Sequence, residues 1–320
     1  MHLPEVDWLR LTSVVDNYLD PLLGDEGPAR RRRPVQARSF ERCLCSEHGL
    51  AEIIESSRGD EQFALLFDFS ATPAVYLHNL GLLVEDYDFD LSRIGTLVLS
   101  HGHWDHYGGL CGFLDARRGD LHPDAALFTG EDAFLNRWSI SPEGARVDSG
   151  ALDEAFVSGR RVRIVKVRAP EVLGGQVLIS GEIGRRTDYE KDPPGGNVTQ
   201  EDGRYFADTL PGEQALIYHL KGKGLVVLTA CGHAGVVNTV LHAQTVTGVD
   251  KVHAVIGGFH LSGAAPERIA RTVDGLAAVD PDLIIPMHCT GMATIEALRA
   301  KLPGRVVYNS AGTRYELQAA

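Results

Sequence analysis

The sequence predicts two β-sheets packed face to face with helices outside, an α/β (α+β) arrangement in a single domain spanning 1–320. Three observations predict it. Apolar runs of strand length alternate with helical segments along the chain. No repeat, low-complexity tract or convincing linker divides it. The side chains suited to hold metal lie far apart in sequence, yet each sits at a strand end or in the loop just after one, where a sheet scaffold gathers a site along one edge.

Taken in order, Leu11–Tyr18 reads as the first strand. Residues 24–38 are a loop insertion carrying Arg30 to Arg33, which in an acidic chain reads as a solvated loop before it reads as a contact for nucleic acid. Ala51–Glu55 and Phe63–Asp68 form a hairpin, and the segment with His78 and Asn79 is helical to Leu83. After the apolar run Ile94–Leu99 come a helix Leu110–Arg117, a strand Ala125–Thr129, a helix Glu131–Trp138 and a strand Val162–Val167. Gln176–Ile183 is the next strand, and 185–212, with Pro193-Pro194-Gly195-Gly196, is a long loop able to act as a lid. Lys221-Gly222-Lys223-Gly224 turns the strand Ala215–Leu220 into Leu225–Thr229. The helices Val236–Thr247, Pro266–Val279 and Ala293–Leu302 then alternate with the strands Val252–Ile256 and Leu283–Pro286, and Val306–Tyr308 and Arg314–Leu317 close the sheet.

Composition bounds the function. With 44% hydrophobic and 23% charged residues the chain is an ordinary globular protein. A net charge of −12 argues against a dedicated nucleic-acid binder, because phosphate contacts need clustered Lys and Arg. It leaves room for a small anionic substrate at a locally positive metal centre. The odd set Cys43, Cys45, Cys111, Cys231 and Cys289 is no disulfide framework and points to a reducing compartment. Without a signal peptide or an 18-residue apolar run, a cytoplasmic protein off the membrane is expected, with oligomeric state open.

The chemistry concentrates in Ser100-His101-Gly102-His103-Trp104-Asp105-His106. His101 and His103 point the same way from an extended segment and can grip one ion. Asp105 and His106 come as the chain turns into the next helix and point at a different spot, so the spacing suits two neighbouring metal positions. Imidazole with carboxylate suits zinc, and also iron or manganese. His233, in Cys231-Gly232-His233, reads as a ligand or a helix cap; Cys231 as a ligand or a small buried hydrophobe. His260, after the paired Gly257 and Gly258, reads as a catalytic or substrate-contacting group or as a core histidine.

The string Ser100 to Leu110 resembles the metal-binding stretch of the metallo-β-lactamase superfamily, a four-layer αββα fold. It is most similar to the branch that includes methanogen dihydropterin–ribofuranosylaminobenzene-phosphate synthases. The resemblance runs from about Asp16 to the C-terminus, with Val15-Asp16-Asn17 at its start. It implies that His288, at a strand end before Thr290-Gly291, is the last ligand, beside a helix N-terminus suited to a substrate phosphate. It implies that Asp68 supports a metal-binding histidine, although a turn-capping aspartate reads equally well. Cys231 falls where relatives carry an aspartate between two metals. Most of the superfamily has Gly-His where this chain has Gly181-Glu182, so Glu182 is left as ligand, water-holder, general base or plain surface residue, and His233 as the replacement ligand.

The expected activity is hydrolysis of a small phosphorylated or otherwise anionic substrate. His101, His103 and His233 hold one ion and Asp105, His106 and His288 a second, with Cys231 between them. Arg185 and Arg186 on the lid pair with phosphate. Synthase-like transfer, iron-dependent redox chemistry and a ligand-sensing module without turnover are the alternatives.

Overall fold

The computed structural model describes residues 1–33, 42–141, 143–191, 197–201 and 203–320. Among them the strands form three sheets. The largest runs, in spatial order, Arg163–Lys166, Ala126–Thr129, Thr96–Val98, Glu61–Phe67, Ala51–Arg58, Trp8–Val15, Arg314–Gln318 and Ala29–Arg30. The second runs Glu171–Leu173, Val177–Ile179, Leu216–Leu220, Gly224–Thr229, Val252–Gly258 and Leu283–Met287, with Glu5–Val6 pairing beside Leu216–Leu220.

Alternation along the strands sets the layers. Ile54 and Leu65 face inward to meet Leu216, Val226, Ile256 and Ile285 of the other sheet. Their neighbours Ile53 and Leu66 face outward onto Tyr76, Leu80, Phe113 and Leu114. Those last four belong to the helices Pro73–Asp86 and Leu110–Arg117. On the far side Ile217, Val227 and Val255 meet Val240, Val273, Leu276 and Leu298 of the helices Val236–Thr247, Pro266–Val279 and Met292–Lys301. Helix, sheet, sheet and helix are therefore stacked in four layers.

Four sequence expectations change. Glu131–Trp138 is not a helix: it is turns followed by the strand Arg137–Ile140, because the Arg137 side chain is buried and bonded back to Asp132 and Leu135. The 185–212 segment is not all loop, since Val198–Glu201 and Arg204–Ala207 form a hairpin. That hairpin joins Arg137–Ile140 and Arg146–Gly150 in a third, four-stranded sheet. The proline–glycine run 193–196 lies outside the described residues. In the arginine run, Ala29–Arg30 pairs with Arg314–Tyr315, Arg31 donates to Tyr308 O and Thr313 Oγ1, and Arg32 pairs with Asp86 at 2.6 Å. Part of that insertion, 34–38, likewise lies outside the described residues. Val306–Tyr308 contributes a single bridge, Ile284 to Val306, in place of a strand.

Candidate metal centre

Just beyond the strand Thr96–Val98 the chain delivers Ser100 to His106, and the adjacent strand Glu61–Phe67 ends at Asp68. Asp68 is fully buried and held at φ +58, a left-handed conformation that turns its carboxylate back toward the strand ends. It accepts from the Ser100 amide at 2.7 Å, the Ser100 hydroxyl at 2.7 Å and His106 Nδ1 at 2.6 Å. These partners assign the protons. Ser100 spends its hydrogen on Asp68, so its oxygen accepts from His101 Nδ1 at 2.9 Å. His101 and His106 thus both carry hydrogen on Nδ1 and present Nε2 as a lone pair.

His233 meets them from the other sheet, where the loop after Gly224–Thr229 carries it inward. Its backbone N–H and that of Ala234 are fixed by the buried Glu213 carboxylate at 2.8 and 2.6 Å. His233 Nε2 stands 3.1 Å from His101 Nε2, and the His103 ring lies 4.7 Å from both rings. His103 turns Nε2 away, to 3.5 Å from Asp208 Oδ2, leaving Nδ1 as its donor atom for the cluster. Burial, then the neighbouring imidazoles, push His101 and His233 well below the ordinary histidine range, so both are uncharged at neutral pH. Gly102 lies between the paired histidines because a side chain there would strike Ala133 O and the Arg137 guanidinium.

The second cluster forms around Asp105 Oδ2, with His288 Nε2 and His48 Nε2 each at 3.2 Å and His106 Nε2 at 3.8 Å. Asn17 organises it. Its Oδ1 accepts from His288 Nδ1 at 2.9 Å and from the Gly49 amide at 3.3 Å, so its Nδ2 is the end that reaches His48 Nδ1 at 3.1 Å. His288 therefore turns Nε2 toward the cluster. His48 differs: accepting at Nδ1 leaves its hydrogen on Nε2, which donates to Asp105. Burial alone would raise Asp105, but His106, His288 and His48 hold its carboxyl well below the usual range. His106 leaves a buried Nε2 without a hydrogen-bond partner. Inward lone pairs, an orphaned nitrogen and an ionised carboxylate are the donor set a dication requires, so the residues fit a pair of metal ions.

Cys231 lies between the two, grouped with His101 and His106. It is also grouped with His260 and Cys289. The His260 ring packs 4.2 Å from that of His233.

Other sequence candidates go elsewhere. Glu182 is exposed and paired with Arg168 at 3.1 Å. Arg186 is exposed and donates to Thr245 on the outer helix, while Arg185 donates to Thr209 O and is half-buried. The Thr290 hydroxyl is buried and consumed by Met287 O and the Phe259 amide. Gly291 lines a cavity beside His288. Sequence reasoning missed His48, Asn17, Asp208, Arg137 and Glu213; only the Val15-Asp16-Asn17 match pointed toward any of them.

The second cluster carries a pH prediction. Burial would lower His288, but Cys289, Asp105 and Asp16 push it up to about 9. Below that pH the metal-free site holds a proton on His288 that an incoming cation must displace. Zinc affinity is therefore expected to rise with pH by roughly tenfold per unit until about 9, then level off. Calorimetry in buffers of different ionisation enthalpy should show the released proton, and His288→Asn should abolish that share.

No family model matches the chain. It is 31% identical over 251 residues to 7,8-dihydropterin-6-methyl-4-(β-D-ribofuranosyl)-aminobenzene-5′-phosphate synthase of Methanocaldococcus jannaschii, covering 77% of this chain and 82% of that one. An uncharacterized protein of the same organism is 28% identical over 255 residues, with 79% and 88% covered. Among solved structures, a metal-dependent hydrolase of the β-lactamase superfamily superposes with a TM-score of 0.71 at 20% identity, covering 97% of this chain and 99% of the other. The four-layer fold is thus that of the metallo-β-lactamase superfamily. Within it, the chain belongs to the family of the methanogen dihydropterin–ribofuranosylaminobenzene-phosphate synthase.

Proposed function

We propose that this protein is a metal-dependent hydrolase acting on a small anionic organic substrate, phosphorylated compounds foremost. One observation carries the reading: the protein's own hydrogen bonds turn Nε2 of His101, His106 and His288 toward two adjoining points beside an ionised Asp105. His101, His103 and His233 would hold one ion and Asp105, His106 and His288 the other, with Cys231 between; zinc suits these donors, and iron or manganese fit them too. Dications there supply Lewis acidity that activates water and polarises the substrate oxygen.

The side chains do the rest. Asp105 stays ionised and can accept a hydrogen bond from the attacking water. His48, with its side chain 54% exposed and hydrogen on Nε2 beside Asp105, would supply a proton to a leaving oxygen. The cavity beside His288, about 530 Å³, has Tyr18, Leu23, Met292, Ile295 and Tyr308 in its walls. Its polar atoms Asp16 and Asn309 are already bonded within the fold, so it would take the substrate's apolar portion. Arg186 is withdrawn from phosphate binding, since its exposed side chain donates to Thr245 of the outer helix.

The relative's name favours a second reading, synthase-like transfer without net hydrolysis. Metal-loaded protein is expected to turn over at least one member of a panel of phosphomonoesters, phosphodiesters, lactones and thioesters, to lose that activity to a chelator and to regain it on metal addition. His48→Gln should lower kcat about 100-fold with metal content unchanged. Turnover only when a second, acceptor substrate is present selects the transferase reading; no turnover of any ester defeats the hydrolase.

A further inference from the structure

Cys231 and Cys289 come from different strand ends, one after Gly224–Thr229 and one after Leu283–Met287, with the strand Val252–Gly258 between them. Their sulfurs nevertheless stand 3.1 Å apart, inside ordinary sulfur–sulfur contact, and both residues are buried. Cys43 and Cys45, by contrast, are exposed. His260 closes the group, its Nδ1 3.6 Å from Cys231 Sγ. His260 is only partly buried, which opens the pair to a small reagent from the metal centre's side. Two further facts make the arrangement consequential. Cys231 is shared, its sulfur within 4.8 Å of the nearest donor nitrogens of His101 and His106 on one side and of Cys289 Sγ on the other. Cys289 follows directly on His288, so its sulfur is held in place by the same strand end that delivers a proposed ligand.

The geometry points to Cys231 and Cys289 as an oxidative modification site, a dithiol that closes to a disulfide and in doing so withdraws Cys231 from the metal centre. The sulfurs must approach by about 1 Å to reach bonding distance. With hydrogen peroxide the step balances. One sulfur attacks a peroxide oxygen and the O–O bond breaks, giving a sulfenic acid and one water. The second sulfur then displaces the sulfenic oxygen as another water. Two thiols lose two electrons and two hydrogens, and one peroxide becomes two waters. Once the S–S bond has taken up the second valence of each sulfur, Cys231 no longer offers an anionic thiolate to a cation. The cross-link needs nothing from the hydrolase reading; the loss of metal rests on the ligand role proposed for Cys231.

The test uses the full chain, zinc-loaded, in a Cys43→Ser, Cys45→Ser, Cys111→Ser background that removes the other thiols. Brief exposure to a few equivalents of hydrogen peroxide is expected to lower the intact mass by two hydrogens and to join the peptides bearing Cys231 and Cys289. About one zinc per chain should appear free to a chromophoric chelator. Dithiothreitol should restore the thiols and, with added zinc, the original metal content. Wild-type protein gives the same linked peptides if the triple variant folds poorly. Stepwise addition of oxygen to either cysteine without a cross-link, or two free thiols after exposure, overturns the proposal. A cross-link formed with both zinc ions retained overturns the coupling and removes Cys231 from the ligand set, while leaving the histidine-based hydrolase reading to its own assay.

Discussion

Asp68→Asn is expected to weaken metal binding at both clusters together, by about 10- to 100-fold. The reason lies in proton bookkeeping. The Asp68 carboxylate accepts hydrogen from the Ser100 amide, the Ser100 hydroxyl and His106 Nδ1, all within 2.7 Å. An asparagine keeps the left-handed backbone, which Asn tolerates, and keeps the volume. It replaces one acceptor oxygen by an amide that donates. If the amide oxygen stays on the Ser100 N–H, the new NH₂ faces His106 Nδ1 and the Ser100 hydroxyl, both donors. His106 then gains by moving its hydrogen to Nε2, which places an N–H where a cation needs a lone pair. Ser100 turns its hydroxyl elsewhere and releases its hold on His101 Nδ1. One atom change thus disturbs a histidine of each cluster, whereas a change at His103 touches only the first. Competition titrations with a chelator should therefore show two weakened sites in Asp68→Asn. Two unchanged affinities would show that neither tautomer depends on Asp68.

Much of this was readable in the chain, and the reasons differ by residue. His101, His103, Asp105 and His106 announce themselves because local spacing alone puts them on two sides of one turn. The helix Pro266–Val279 carries strong apolar periodicity, and its bounds, like those of Val236–Thr247, fall where the sequence sets them. His48 is a lone histidine in a short connection; it becomes part of the site only because Asn17, 31 positions earlier, reaches it. Asp208 and Arg137 are invisible for the same reason, being separated by 71 residues and joined only in the fold. Glu131–Trp138 misled in the opposite direction. Its composition permits a helix, but the buried ion pairs of Arg137 outweigh that weak local preference. Glu182 followed a positional likeness, yet at that position the chain has already left the sheet, and the side chain goes to solvent and Arg168.

The Arg137 network ties the third sheet to the metal centre, and Arg137→Met is expected to cost about 3–5 kcal/mol of stability. The guanidinium is 1% exposed. It donates to Asp208 Oδ2 at 2.7 Å, Asp132 Oδ2 at 2.9 Å and the carbonyls of Gly102, Asp132 and Leu135. Methionine fills the space but leaves the buried Asp208 and the half-buried Asp132 carboxylates without their cation. At roughly 2–4 °C per kcal/mol, the melting temperature should fall by on the order of 10 °C. The loss has a pH signature. Burial would raise Asp208, but His103 and Arg137 hold it below its ordinary value. A depressed carboxyl contributes stability above its unfolded pKa, and that contribution is lost as pH falls through its folded value. In the variant the carboxyls rise and protonate early, so the gap between wild type and Arg137→Met should be full at neutral pH and narrow toward about pH 4. Asp208 also meets His103 Nε2 at 3.5 Å, so the variant should bind zinc more weakly at the first cluster and leave the Asp105 cluster unaffected. Asp208→Asn added to Arg137→Met should recover part of the stability, because one orphaned charge is gone, but none of the zinc affinity. A gap that stays constant with pH would mean that Arg137 acts by packing alone.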